Sequence, residues 1–156
     1  MTVQINVNGL KNIKKALSDK YVTYVGILGS NATTQHEDTH YTNAQIGAVQ
    51  EFGSVSNNIP ARSFIRMPLE MKLGQWIEKQ GSTYFKMALN GHLDAFYRGV
   101  GLKAEEIIQD AFESRGFGEW DENAPSTIKA KGSDMPLIDT GALRASISSE
   151  VGHENS

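Results

Sequence analysis

The chain has 156 residues, a length that fits one domain, and it has no Cys, which excludes disulfides, thiolate metal sites and cysteine nucleophiles. With 18 acidic against 15 basic residues and a net charge of -3, it lacks the basic excess of a protein that grips duplex DNA over a broad face. Its longest apolar runs, such as residues 24–28, fall far short of the ~20 residues of a membrane span, and no basic-then-apolar leader opens the chain, so a soluble product made in the cytoplasm, with no membrane partner, is expected.

Val3, Ile5 and Val7 alternate with polar residues and predict a short strand, and Leu10, Ile13 and Leu17 then share one face of a short helix. Residues 21–28 are rich in β-formers and predict a buried strand ending at Gly29, before a polar, aperiodic loop over residues 29–41. Thr42 and Gln45 have capping-box spacing, Ile46, Val49 and Phe52 follow as a helical stripe, and Gly53 suits the C-cap. Pro60 restricts the next segment, and Pro68 suits the first turn of a helix whose buried stripe is Leu69, Leu73, Trp76 and Ile77.

Phe85, Leu89, Leu93, Phe96, Val100, Ile107, Ile108 and Ala111 recur at three- and four-residue spacing, which predicts a long helix over roughly residues 83–114. Gly91, Gly99 and Gly101 interrupt it, each disfavoured by about 0.5–1 kcal/mol against Ala, and signal a bend, a close helix contact or two helices instead of one. Pro125 suits the start of a short helix. Further on, Asp139 or Thr140 suits a cap, Gly141 a turn, Leu137, Ile138 and Leu143 the interior, and Ile147 and Val151 a final strand. The sum is a single α+β domain over residues 1–156: a small mixed or antiparallel sheet with strands near both termini, packed against a long central helix and shorter helices, and a short tail at residues 152–156.

His36, Glu37 and His40 match the H-E-x-x-H pattern, in which two His one helical turn apart bind zinc and the Glu activates its water. The segment lacks the apolar stripe that would bury such a helix and has no third His at the extended spacing, so a solvated loop is the better reading and a zinc hydrolase the alternative. Gly99, Gly101 and Ala104 echo half of a dinucleotide fingerprint but follow helical residues, where that motif needs a strand. Lys129, Lys131, Arg144, Arg62 and Arg66 offer cations for DNA phosphates, as in a packaging accessory, or solvated and interface charges, which the acidic balance favours. No catalytic set, cofactor or metal is expected.

Two segments carry a family likeness: AQIGAVQEFGSVSNNIPARSFIRMPLE at residues 44–70 and PSTIKAKGSDMPLIDTGALRASISSEV at residues 125–151. Together they resemble the tail-completion or neck proteins of long-tailed bacteriophages, in which a helix ending in EFG leads to IPARPF and a TIxxKG segment leads to LxDTGxLRxSI. The likeness covers about half the chain, and Ser63 stands where a second Pro is usual, a change expected to loosen that turn. It implies a non-enzymatic structural protein of the virion, in the neck or upper tail, that completes the tail and helps join it to the head. The same likeness implies a homo-oligomeric ring, a hexamer by analogy, assembled in the host cytoplasm, with neighbouring neck, tail terminator or tail tube proteins as partners and DNA only in transit through its lumen. Within the motifs, Pro60 reduces the ordering cost of docking, Phe64 offers an aromatic anchor, and Arg62 and Arg66 offer multidentate hydrogen bonds to a partner. The competing reading has Phe64 covering the domain's own core and Arg62 paired with Glu51 or Glu70.

Overall fold

A computed structural model describes residues 7–35, 39–132, 134–137 and 141–154. Among these the fold is α+β: eight helices and a two-stranded antiparallel sheet with one strand near each end. In chain order the elements are α1 (Asn8–Ser18), β1 (Tyr21–Ile27), α2 (Gly29–Thr33), α3 (Asn43–Phe52), α4 (Arg66–Glu78), α5 (Gly81–Asn90), α6 (Leu93–Glu113), α7 (Pro125–Lys131), α8 (Ala142–Ala145) and β2 (Ile147–His153). The strands pair from Tyr21 opposite His153 to Ile27 opposite Ile147.

α6 is the spine, 21 residues and so about 31 Å long. Its buried stripe of Leu93, Phe96, Val100, Ala104, Ile107, Ile108, Ala111 and Phe112 feeds two apolar clusters. One joins Phe64, Ile108, Phe112, Trp120, Leu143 and Ile147, and the other joins Ala88, Leu93, Phe96 and Val100. Phe64, Ile108 and Phe112 are wholly buried, each contributing roughly 1.5–3 kcal/mol of transfer free energy. The sheet lies close on α6 at Gly101, where a Cβ would stand 2.5 Å from Ser149 Oγ and 3.2 Å from Thr23 Cγ2. That close approach is the reason for this glycine; Gly99 meets nothing within 4 Å.

Several expectations change. The long helix is two helices, divided not at Gly99 or Gly101 but at Gly91, which adopts a left-handed φ of 75° and closes α5. Residues 29–33 form α2 rather than loop, tied down by Asn43 Nδ2 donating to Asn31 O (3.2 Å) and Asn31 Nδ2 donating to Ser146 O (3.2 Å). β1 is half-buried rather than buried, because helices cover one of its faces and leave Tyr24 exposed on the other. Ile77, expected on a buried stripe, is exposed, and so are Leu10, Leu17, Phe52 and Phe85, each placed by spacing on an apolar helical face. The covered side of α1 is instead Gly9, Asn12, Ile13 and Ala16. β2 extends through His153, so the first two residues of the expected tail are strand. The predicted strand at Val3 and Ile5 lies outside the described residues, and Val7 is not in a strand.

Candidate interaction face

The capping box is present: Thr42 Oγ1 accepts from the Gln45 N–H and Gln45 Oε1 accepts from the Thr42 N–H. It starts α3 and so aims Glu51, in the last turn, at the start of α4. Ile65, the N-cap of α4, provides no side-chain cap. Glu51 takes that role from 14 positions back, its Oε2 accepting from the Phe64 and Ile65 N–H groups at 2.8 and 3.0 Å. Glu51 Oε1 accepts from the Ser63 hydroxyl at 2.6 Å and the Arg66 N–H at 3.1 Å. One buried carboxylate thus satisfies orphan donors of a helix N-terminus and sits where the helix dipole favours negative charge. Ser63 Oγ also accepts from the Met67 N–H at 2.9 Å, so Ser63 fastens the turn it was expected to loosen.

Four further hydrogen bonds brace the same segment. The Arg62 N–H donates to Gln50 O at 2.7 Å, and its guanidinium donates through Nε to Asp121 O and through Nη2 to Glu122 O, both at 2.9 Å. Burial lowers the Arg62 pKa, and the Asp121 charge partly restores it. Trp120 Nε1 donates to Ser63 O at 3.0 Å. Between the braced ends, residues 54–59 form a turn closed by reciprocal Ser54 and Ile59 backbone bonds of 2.9 Å. At its base Gly53 has φ 74° and ψ 179°, a region open essentially to Gly alone, and a Cβ there would stand 2.8 Å from Ala61 N.

This geometry sorts the residues proposed as interface. Phe64 is 0% exposed and Arg62 7%, so neither presents an anchor or a fork to a partner. Phe64 belongs to the core, and Arg62 satisfies backbone carbonyls rather than Glu51 or Glu70. Pro60 and Arg66 are exposed, and Arg66 lies 3.3 Å from Glu70. What the segment presents outward is Phe52, 74% exposed, and Val55, fully exposed at the tip of the turn. They continue the outer face of α3 through Ala48 and Gln45 to Tyr41. The only charged residue of α3 is the buried Glu51, so this face carries no charge. The four-, three-, four-residue spacing of Tyr41, Gln45, Ala48 and Phe52 was readable in the sequence, but nothing local says which side of α3 the core covers.

Gly141 has a left-handed φ of 85° and is the N-cap of α8, while the other two residues of the predicted turn, Asp139 and Thr140, lie outside the described residues. So do His36 and Glu37; His40 stands exposed in a bend. Among the described residues no group of three or more His, Asp or Glu is placed to hold a metal ion. Of the cations considered for DNA, Arg62 is turned inward and Arg144 bonds to Gln109 and Glu113 across α6. An open groove of about 560 Å³ runs between β1, the end of α4, α5 and α6, walled by Tyr21, Ile77, Tyr84, Phe96 and Tyr97 among others. Comparison of the chain with family models, curated proteins and solved structures returns no match.

Proposed function

We propose that this chain is a structural protein of a bacteriophage virion, a ring-forming subunit of the neck or upper tail that completes the tail and helps join it to the head. The reading rests on the paired motifs at residues 44–70 and 125–151, and one observation supports it most: the two motifs meet in one core. Phe64 from the first packs in one cluster with Leu143 and Ile147 from the second, and a Cβ at Gly47 would lie 3.7 Å from Leu143. Read this way, each motif has a framework duty. Glu51, Gly53, Arg62 and Ser63 hold a rigid turn outward, and Gly141 and Leu143 lock the segment behind it. A rigid, uncharged projection suits docking among subunits, because little ordering remains to be done on contact.

Its role is assembly without chemistry, with neighbouring neck, tail terminator or tail tube proteins as partners and DNA passing through the lumen. Electron microscopy of particles from a phage lacking the gene tests the proposal. The expected result is DNA-filled heads and separate tails, and normally joined virions would overturn it.

A further inference from the structure

We infer that the chain docks head to tail on a second copy of itself, the Phe52 and Val55 tip of one copy seating on the Leu10 and Leu17 face of α1 in the next. Both faces are apolar and exposed: Leu10 is 68% and Leu17 79% accessible, against 74% and 102% for Phe52 and Val55. α1 uses its other side on its own chain, where Gly9 approaches Leu89 and Asn12 Nδ2 donates to Leu89 O at 2.8 Å. Leu10 and Leu17 are two helical turns apart on one face, about 10 Å, with the exposed Lys14 between them, so an aromatic ring would lie across the two leucines and the Lys14 stem.

Charge says which surface covers which. α1 carries Lys11, Lys14 and Lys15 around its two leucines, all exposed, and no acidic residue between Asn8 and Ser18. The tip has no exposed cation on α3, and beside it lie the exposed Asp121 and Glu122, tied to its base by the Arg62 guanidinium. Like against like would set lysines on lysines or carboxylates on carboxylates. Tip against α1 brings opposite charges together around an apolar centre, which is the arrangement that steers and registers a contact. Because the two faces differ, the contact is heterologous and propagates, into a closed ring or an open filament according to the rotation it imposes.

The inference deepens the ring reading and rests on it only for closure. Its test uses the full chain and two surface variants, Phe52→Ser with Val55→Ser and Leu10→Ser with Leu17→Ser, sized by light scattering after circular dichroism shows wild-type melting. Wild type should self-associate with concentration, less so at high salt, and each variant should weaken this by at least about tenfold. An equimolar mixture of the two variants should give a 1:1 dimer, since one tip and one α1 face remain intact. Monomeric wild type with no dimer in the mixture would overturn the docking. Variants that assemble like wild type would also overturn it while leaving a ring built on other surfaces standing. Normal virions without the protein would remove the phage role and leave a positive mixing result untouched.

Discussion

Replacing Glu51 by Gln keeps the shape of the side chain but turns one acceptor oxygen into a donor that faces N–H and O–H groups. Two of the four donors it serves then lose their partner in a buried place, and the expected loss is about 2–3 kcal/mol in urea unfolding, with Glu51→Asp also destabilising because it is too short. Arg62→Leu should be milder, about 1–2 kcal/mol, since the Asp121 and Glu122 carbonyls it releases lie near the surface and water can serve them. Tyr97 gives a pH dependence. Burial pushes its phenol pKa up, and the neighbouring Tyr84 adds to the shift. A raised folded-state pKa contributes stability that is complete below the ordinary phenol value of about 10 and disappears as pH rises through the folded value. Wild type should therefore lose more stability than Tyr97→Phe on moving from neutral to strongly alkaline pH, as read by denaturant midpoints. None of these three roles was legible in sequence. Glu51 serves donors 12 to 15 positions away and Arg62 binds carbonyls some 60 positions away, so no local pattern contains both ends.

At the level of elements, the local signals were the ones that read correctly. Thr42 and Gln45 meet within one turn, Gly53 ends α3, Pro125 opens α7 and Gly141 precedes α8. Periodicity correctly located α1, α3, α4 and the pair α5 and α6, but it reports an amphipathic face without saying how much of that face the rest of the chain covers. Phe52 and Phe85 continue good stripes and still stand in solvent, because each lies past the edge of what packs on its helix. Glycine shows the same limit. Gly91, Gly99 and Gly101 look alike in sequence, and only the backbone geometry separates a helix end, an open position and a helix-to-sheet contact. Two substitutions test this division: Gly99→Ala should be neutral or slightly stabilising, by up to about 1 kcal/mol, and Gly101→Val should destabilise by 2 kcal/mol or more, about the range for overpacking, by forcing β2 off α6. Thermal melts of the pair, side by side, decide it.

For the whole molecule, the α+β class and the strands near both ends were legible because terminal strands and a long helical repeat are each strong one-dimensional patterns. The two-cluster core was not, since it depends on which segments meet. Charge acts at this scale as well. With Arg62 buried, Arg144 paired with Glu113 and a net charge of -3, the free chain should bind duplex DNA weakly. Fluorescence anisotropy at near-physiological salt should give no tight, steeply salt-dependent binding, and finding it would favour a DNA-packaging role.

The pairing of β1 with β2 joins stretches more than a hundred residues apart, which sets an order of events during synthesis. Until residue 153 has left the ribosome, β1 has no partner strand and the side of α6 at Gly101 has no complete cover. The helices can form earlier, since their contacts are local, but closing the sheet joins segments more than a hundred residues apart and comes late. A nascent chain therefore remains incomplete and exposes apolar surface until β2 is made, so premature association between growing chains competes with folding at that stage.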